Sequence, residues 1–421
     1  MITNSFTAPP LSRTLMLAAP NNRHGIVLQP QEARTSLSDL ASVTHVGVPN
    51  SIESPWESAS GGVGRDAEDA RIAAIGEGIE RYCGAITQLP LRDRTGIPTA
   101  QRLDADQWHL FTEAQRGDPA FPFANIYSDS CQYTNAFDVH DNAEVWLPHP
   151  FVALRDDYQT GVPTSSGLAA GPTARQALLR AIQELIERDA LMMTWLHSVP
   201  ARAIEVPAKY VTEVAALHGE VHAFDLTPAF SPFPVIAVAG WIPQRGRRRF
   251  SLGLACRDTW EAALEKAYLE WNQGVLFAGI YGKHVDTSGI DDPRLVKSFD
   301  EHAIYYTLHP DRWPGLPMFA RQDKVHDVAV PGGELSTDAA LELARRALDD
   351  AGIRMYYRDL TTIDAHQLGV HVVRATSPDL ASIFAHQEWP LIGGLEGKLA
   401  SRYPWAPAAS TFPNPMPHPL G

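Results

Sequence analysis

Residues 62–84 read GVGRDAEDARIAAIGEGIERYCG, and residues 165–189 read SSGLAAGPTARQALLRAIQELIERD. Each stretch opens with glycine-rich residues and continues with apolar residues at three- and four-residue steps, which is the period of an amphipathic helix. Both stretches contain the pattern Glu-x-x-Glu-Arg, and the second copy follows the first by 184 − 77 = 107 residues. The sequence therefore predicts two related helices that lie far apart along one chain.

Each predicted helix carries two glutamates three residues apart, so both side chains of a pair project from one face. The pairs are Glu77 with Glu80 and Glu184 with Glu187. Four carboxylates that meet would suit a hard divalent cation, and Mg²⁺ in particular combines a few carboxylates with water and phosphate oxygens. The alternative is that each pair lies on a solvated helix face and has no functional role.

One arginine follows each pair, Arg81 in the first copy and Arg188 in the second. Either guanidinium could bind phosphate oxygens or form an ion pair with the glutamates. The chain contains neither a P-loop nor a dinucleotide-binding fingerprint, and it lacks the GxSxG, HExxH and kinase HRD patterns. A nucleotide site in this protein must therefore be built from other elements.

The composition narrows the class of protein. Among 421 residues, 35 Lys and Arg against 49 Asp and Glu give a formal net charge of −14. This charge opposes nonspecific binding to nucleic acid or to anionic membranes, and no apolar run approaches the length of a membrane span. The three cysteines are isolated and form no CxxC pattern. We therefore expect a cytoplasmic protein without nucleic-acid or membrane partners.

The remaining pattern mixes helices with strands. Further helices are predicted over 260–278 and 338–351, and the second is followed by Gly352, a common stop. The tripeptide Asp-Leu-Thr occurs at 225–227 and at 359–361, each time between two strand-like segments. We predict an α+β fold with internally duplicated elements, in which residues 1–60 form a lead-in packed on a body of residues 61–421.

On these residues the chain resembles the YcaO superfamily. The resemblance runs from about residue 60 to the end, and it rests on the two quoted stretches, the helix around Glu270 and Gln273, both Asp-Leu-Thr turns and the final residues PNPMPHPLG at 413–421. One departure is Ser166, where family members often carry Asn. The resemblance implies a YcaO-type fold of mixed sheets and helices around an unconventional ATP cleft.

The resemblance also implies ATP and Mg²⁺ as cofactors and assigns site residues. The implied metal residues are Glu77, Glu80, Glu184 and Glu187. The implied nucleotide-binding residues are Arg81, Ser165, Gln176, Arg188 and Glu270. These roles are expectations that follow from the resemblance.

The PxPxP ending looks like that of the cyclodehydratases in thiazole/oxazole-modified microcin synthetases. For this chain it implies catalytic roles for Pro417, Pro419 and Gly421, because proline's fixed φ presets an extended segment. The alternative is a disordered proline-rich end or an SH3-type ligand. In the implied reaction a Cys, Ser or Thr side chain of a ribosomally made peptide attacks the preceding carbonyl, ATP phosphorylates the amide oxygen, and phosphate leaves to give an azoline.

The implied partners are a precursor peptide and a separate leader-binding protein that resembles ubiquitin-activating enzymes. A flavin-dependent dehydrogenase and a second copy of this chain are further implied partners. Two other functions remain open. One is thioamide or amidine formation by a member of the same superfamily, and the other is a noncatalytic nucleotide-binding scaffold.

Overall fold

The computed structural model describes residues 10–23, 25–33, 42–48, 58–108, 110–244, 246–281, 290–320, 334–407 and 411–421. The helices are α1 (Pro10–Ala18), α2 (Ala67–Ile86), α3 (Glu113–Arg116), α4 (Ala174–Leu196), α5 (Ala208–Ala216), α6 (Trp260–Tyr281), α7 (Phe299–Leu308), α8 (Thr337–Asp350), α9 (Ile363–Gln367) and α10 (Leu399–Arg402). The strands are β1 (Gln31–Glu32), β2 (Ser42–Val48), β3 (Ser58–Gly64), β4 (Tyr133–Asp138), β5 (Glu144–Pro148), β6 (Leu168–Gly171), β7 (Arg202–Ile204), β8 (Glu220–Asp225), β9 (Val235–Gln244), β10 (Arg247–Cys256), β11 (Tyr356–Asp359) and β12 (His371–Thr376). The predicted α+β class is confirmed.

The chain divides into two compact units. The first unit contains the described residues of 10–33, 42–185 and 334–380, and the second contains those of 186–320 and 381–421. The boundary falls within α4, so Glu184 belongs to the first unit and Glu187 to the second. The predicted division of the sequence at residues 60 and 61 stays a prediction. Within the described ranges, no helix is long and apolar enough to cross a membrane.

The first unit contains two antiparallel sheets, ordered β1-β2-β3 and β5-β4-β11-β12-β6. Helix α2 packs on β3, and this contact requires glycine at position 62. A Cβ at Gly62 would lie 2.1 Å from the backbone nitrogen of Ala74 and 2.3 Å from the carbonyl oxygen of Ala70. The glycine-rich stretch before α2 is therefore a strand against which the helix packs closely.

The second unit contains the antiparallel sheet β10-β9-β8-β7. Helix α6 packs on β10 and β9, and its buried residues Tyr268 and Trp271 join the core of this unit. Glycine is again required at the contact, because a Cβ at Gly253 would lie 2.0 Å from the carbonyl oxygen of Ala267. Both units thus place a long helix directly on a small residue of a strand.

The two Asp-Leu-Thr turns form the same hydrogen bonds, one turn in each unit. In the second unit the backbone N–H of Thr227 donates to Asp225 over 2.9 Å, and the N–H of Val235 donates to the Thr227 hydroxyl over 3.0 Å. In the first unit the backbone N–H of Thr361 donates to Asp359 over 2.8 Å, and the N–H of Val372 donates to the Thr361 hydroxyl over 3.0 Å. The duplication predicted from the sequence is therefore present in the structure.

The proline-rich segment at 411–421 packs into the second unit. Its carbonyl oxygens accept side-chain hydrogen bonds from Gln387 to Pro415 over 3.1 Å, from Trp195 to Met416 over 3.0 Å and from Tyr306 to Pro417 over 2.8 Å. Residues 417–420 are buried. The alternative of a disordered or freely exposed proline-rich ligand does not agree with this packing.

A stacked pair of buried histidines holds the centre of this segment. The rings of His302 and His418 lie 3.8 Å apart at 10°, and both side chains are fully buried. The nitrogens of His302 lie 3.1 Å from the carbonyl oxygens of His418 and Ala385, and Nε2 of His418 lies 2.8 Å from that of Phe384. Burial lowers the pKa of His418 to about 4 and the pKa of His302 well below its usual range.

The Asp-Leu-Thr turn of the second unit gives a stability prediction. Thr227→Val keeps the shape of the side chain but leaves the buried N–H of Val235 without its acceptor, so we expect a loss of about 1–3 kcal/mol in the free energy of unfolding. Thr227→Ser keeps the hydroxyl and is the matched control. Chemical denaturation of both variants measures the difference, and equal stability would show that this hydrogen bond contributes nothing.

The histidine pair predicts acid sensitivity. The pKa of each imidazole is lower in the folded protein than in the unfolded chain, so the unfolded state binds more protons as the pH falls. Stability is therefore full above about pH 6.5 and is lost as the pH falls toward about 4, by roughly 3 kcal/mol for His418. Melting temperatures between pH 8 and 4.5 should fall less steeply in His418→Gln, which removes the titrating group.

The control for this experiment is His222→Gln, because the His222 side chain is 40% exposed and pairs with Glu220 at 2.6 Å. We expect this variant to show the pH slope of the wild type. If His418→Gln and the wild type lose melting temperature in parallel on acidification, the histidine pair does not set the acid sensitivity.

Candidate nucleotide and metal site

Helix α2 fixes the first pair of glutamates. Asp66 caps its N-terminus by accepting a hydrogen bond from the N–H of Asp69 over 2.8 Å, as expected for an N-cap aspartate. Ala74, Ile75 and Ile79 are fully buried along the helix. Because these apolar side chains fix the rotation of α2 about its axis, the positions of the intervening polar residues are fixed as well.

Glu77 is held from two sides. One carboxylate oxygen accepts the backbone N–H of Gly61 over 3.1 Å, and the other accepts the guanidinium of Arg81 over 3.2 Å. About a third of each of these two side chains is exposed to solvent. The predicted metal residue Glu77 and the predicted nucleotide residue Arg81 are therefore in direct contact.

Glu80 lies deeper than Glu77. Its carboxylate accepts the backbone N–H of Ala170 in β6 over 3.1 Å. Burial raises the pKa of Glu80 well above its usual range, Glu184 and Glu77 raise it further, and Arg81 and the Ala170 N–H oppose the rise. The carboxylates of Glu77, Glu80 and Glu184 are thus close enough to interact electrostatically within the first unit.

Arg374 supplies a positive charge to this group. The residue lies on β12 and is 5% exposed, and its guanidinium donates to the carbonyl oxygens of Thr164 over 2.7 Å and Phe151 over 3.4 Å. Burial lowers the pKa of Arg374 to about 10, and Glu184 and Glu80 oppose this decrease. The side chain remains protonated at neutral pH and faces the electrostatic field of these carboxylates.

The described residues contain no group of three or more His, Cys, Asp or Glu side chains that could hold a metal ion by themselves. Mg²⁺ does not require such a group, because it takes one or two carboxylates and completes its shell with water and substrate phosphates. The chemistry of the donors fits this metal, since hard carboxylate oxygens lie beside arginines that suit phosphate. The residues present are therefore compatible with a magnesium–phosphate ligand.

Ser165 and Gln176, two predicted nucleotide residues, have local roles in the first unit. The carbonyl oxygen of Ser165 accepts the N–H of Leu168 over 2.9 Å. Gln176 lies in the first turn of α4, where its N–H donates to the Thr173 hydroxyl over 3.2 Å. Its position is two turns, about 12 Å, before Glu184 along the helix. The nucleotide roles of both residues stay predictions.

The neighbouring Ser166 has an unusual environment. It is 5% exposed, and its hydroxyl has no hydrogen-bond partner among the residues that the structure describes. Its N–H bonds to the hydroxyl of Thr164, whose carbonyl oxygen binds Arg374. A buried hydroxyl without a partner is costly in a folded protein, so a ligand that supplies one would be stabilised here.

The second Glu-x-x-Glu-Arg pattern also contains Glu187 and Arg188, and both residues lie in the second unit. Glu187 is 5% exposed and accepts the backbone N–H of Cys256 in β10 over 3.1 Å. Arg188 lies 3.4 Å from the other carboxylate oxygen of Glu187. Glu80 and Glu187 therefore make equivalent contacts, each with the backbone of a strand that leads into a long helix.

Glu270 lies on α6 in the same unit, and neighbouring cations balance the negative charge of its carboxylate. Its carboxylate is 3.0 Å from the ammonium of Lys266. Burial alone would raise the pKa of Glu270, but Lys266, Arg257 and Arg188 together hold it below its usual range. The predicted nucleotide residues Arg188 and Glu270 are thus brought together electrostatically.

The predicted catalytic residues Pro417, Pro419 and Gly421 also belong to the second unit. The two prolines are buried, and Gly421 is exposed and packs against Ala303 of α7. Their catalytic roles stay predictions.

Sequence reasoning missed Arg374 and the two backbone N–H groups that hold Glu80 and Glu187. Arg374 is a single arginine in an apolar strand, VHVVRAT at 370–376. Burying a charged side chain in an apolar strand costs free energy unless the charge has a partner. The arginine in this otherwise apolar segment is therefore the feature from which a role for Arg374 could have been predicted. Every residue except proline has a backbone N–H. The identities of Ala170 and Cys256 therefore do not indicate that their N–H groups bind the glutamates.

Comparisons with known proteins identify the family of this chain. A sequence model of the family described as YcaO cyclodehydratase, ATP- and Mg²⁺-binding, matches residues 61–381, well over half of the chain. No curated protein matches the chain.

Several solved structures share the fold. A heterocyclase in complex with substrate and cofactor superposes with a TM-score of 0.72 at 17% identity, over 95% of this chain and 57% of that chain. YcaO from Methanopyrus kandleri bound with AMPPCP and Mg²⁺ gives 0.60 at 16% identity, over 88% of each chain. The E. coli microcin synthetase McbBCD complex gives 0.61 at 15% identity, over 86% of this chain and 90% of that chain.

This chain therefore spans just over half the length of the heterocyclase chain, and at these identities the likeness concerns the fold alone. The family match is independent of that likeness and covers both acidic helices. On this evidence the chain belongs to the YcaO family of cyclodehydratase-type enzymes, and the predicted cofactors ATP and Mg²⁺ are confirmed.

Proposed function

We propose that this chain uses ATP to convert Cys, Ser or Thr residues of a ribosomally made precursor peptide into thiazoline or oxazoline rings. The observation that carries the proposal is the group of Glu77, Glu80 and Glu184 beside Arg81 and Arg374 in the first unit. Its ligand chemistry is that of magnesium and phosphate rather than of a soft metal. Membership of the YcaO family supports the same reading.

The chain's own residues would hold and orient the cofactor. Bound Mg·ATP supplies the phosphoryl group that turns an amide oxygen into a good leaving group. Glu77 and Glu80 are fixed by backbone N–H groups before any ligand arrives, so little reorganisation is needed on binding. Arg81 and Arg374 offset negative charge, as is required where carboxylates and phosphates share one site.

We also propose Glu187 as a metal-binding residue, because it follows Glu184 by one turn of α4. For the segment around Pro417 and Pro419 we propose a catalytic role together with Gly421. The packing of this segment supports a preset conformation, since its carbonyl oxygens are already bonded by Trp195 and Tyr306. An ordered segment loses less conformational entropy on meeting a substrate.

The proposed partners are the precursor peptide and a separate leader-binding protein similar to ubiquitin-activating enzymes. A flavin-dependent dehydrogenase and a second copy of this chain complete the proposed assembly. The support is that one solved structure with this fold is a microcin synthetase complex and another has pro-MccB17 bound.

We also propose a cytoplasmic location for this chain. The support is that the described cysteines are all free thiols, as is usual for proteins of the reducing cytoplasm.

The proposed metal role predicts the effect of removing one charge from each helix. Glu80→Gln and Glu187→Gln keep an oxygen that accepts the N–H of Ala170 or Cys256, so both variants should fold. Each removes a carboxylate that we assign to Mg²⁺, and we expect turnover of Mg·ATP to fall by about a hundredfold or more. Phosphate release in the presence of peptide and partner measures this rate.

Glu113→Gln is the control, because Glu113 is exposed in the first turn of α3. It should turn over ATP at the wild-type rate. Wild-type rates in both Glu80→Gln and Glu187→Gln would remove the metal assignment. Circular dichroism of each variant shows whether a lost rate reflects unfolding instead.

The mass of the peptide product, together with the state of its Cys, Ser and Thr side chains, separates the proposed reaction from its alternatives. Ring formation removes one water for each azoline, whereas thioamide formation exchanges oxygen for sulfur. Amidine formation by an internal amine also removes water but consumes no Cys, Ser or Thr side chain. A noncatalytic scaffold would bind nucleotide and leave both peptide and ATP unchanged.

A further inference from the structure

Helix α7 contacts both the strand β10 and the final segment of the chain, residues 411–421. The hydroxyl of Thr307 on α7 accepts the backbone N–H of Phe250 in β10 over 3.0 Å and lies 3.3 Å from the carbonyl oxygen of the same residue. The same strand ends at Cys256, whose N–H holds the carboxylate of Glu187. All of these residues belong to the second unit. Helix α7 is therefore fixed on the strand that also places one of the proposed metal-binding glutamates.

One face of α7 is directed at the final segment. Four of its residues return to the same side of the helix at steps of three and four, namely Phe299, His302, Ala303 and Tyr306. The hydroxyl of Tyr306 donates to the carbonyl oxygen of Pro417 over 2.8 Å. The ring of His302 stacks on that of His418, with 3.8 Å between the ring centres. These two contacts hold the middle of the final segment along the helix.

Gly421 lies against the first turns of the same face. A Cβ at this position would be 2.4 Å from the Cβ of Ala303 and 3.2 Å from the carbonyl oxygen of Phe299. Two carbon atoms in favourable contact are about 3.5–4.0 Å apart, so a larger residue at position 421 would have to move away from the helix by about 1 Å. Position 421 therefore accepts only glycine at this distance while alanine occupies position 303.

Helix α4 holds the same segment beside a proposed nucleotide-binding residue. The indole N–H of Trp195 on α4 donates to the carbonyl oxygen of Met416 over 3.0 Å. Burial is the main reason that the pKa of His418 falls to about 4, and the positive charge of Arg188 on α4 contributes to this decrease. The final segment is therefore held by both helices and lies within the electrostatic reach of Arg188.

We propose that α7 is a template that sets the position of Gly421 for the reaction, with Ala303 as the positioning residue. The proposal rests on the proposed function, in which Gly421 has a catalytic role. Tyr306 and His302 hold the residues before Gly421, and Ala303 then limits how closely residue 421 approaches the helix. Because a displacement of about 1 Å can lower an enzymatic rate by about a hundredfold, the close fit of glycine on alanine matters for turnover.

Moving one methyl group between the two residues tests this template. Gly421→Ala should lower kcat for peptide-dependent turnover of ATP by about tenfold to a hundredfold and leave the KM for ATP unchanged, because the segment moves while the proposed nucleotide residues stay in place. The double variant Ala303→Gly with Gly421→Ala makes room for the added methyl group and should restore most of the rate.

The matched control is Ala215→Gly combined with Gly421→Ala. Ala215 is an exposed alanine of α5, so its replacement weakens a helix without making room beside residue 421. This control should keep the low kcat of Gly421→Ala. Hydrogen exchange of residues 411–421 is a second readout that needs no activity. Exchange should be faster in Gly421→Ala than in the wild type and should return to the wild-type rate in the double variant with Ala303→Gly.

The outcomes separate the template from the proposed function. Wild-type exchange in Gly421→Ala, or no recovery in the double variant, overturns the template even if the enzyme forms azolines. A wild-type kcat in Gly421→Ala, when the wild type forms azolines, overturns the positioning role. A wild type that forms no azoline overturns the proposed function, whereas faster exchange in Gly421→Ala that Ala303→Gly reverses still supports the contact that places Gly421 on α7.

Discussion

A carboxylate on one helix binds the backbone of the strand that leads into the next long helix, and the arrangement of the candidate site depends on this contact. Glu80 of α2 accepts the N–H of Ala170 before α4, and Glu187 of α4 accepts the N–H of Cys256 before α6. Because a backbone donor cannot change rotamer, it places the carboxylate more firmly than a side-chain partner would.

Charge balance explains why such a site suits a cation and a phosphate together. Glu80 is buried near Glu77 and Glu184, and this arrangement favours protonation unless positive charge is supplied. Arg81 and Arg374 supply part of that charge within the protein. Magnesium would supply more and would bring negatively charged phosphate into a chain that otherwise repels it. A metal ion together with these arginines would therefore make the acidic helices compatible with a negatively charged nucleotide.

The helical parts of the fold could be predicted from the sequence because their apolar period is long and regular. The structure places α2, α4, α6 and α8 where the period predicted them, and α4 and α6 extend beyond the predicted ends. The Asp-Leu-Thr turns were also visible, because their hydrogen bonds use side chains that appear in the sequence. Gly62 illustrates the opposite case: its place in the turn-like GVG pattern does not show that it lies in a strand under α2.

The candidate site could be predicted only in part, since a pattern of residues shows related segments and not their long-range partners. Arg374 follows Glu184 by 190 residues. The stacked histidines outside the candidate site are a second example, since His302 lies on α7 and His418 in the final segment. Electron paramagnetic resonance of Mn²⁺ in place of Mg²⁺, with a non-hydrolysable ATP analogue, measures whether glutamates of the two acidic helices bind the metal ion. We expect one tightly bound Mn²⁺ in the wild type and much weaker binding in Glu77→Gln and Glu184→Gln, whereas unchanged Mn²⁺ spectra and affinities in both variants would contradict the metal assignment.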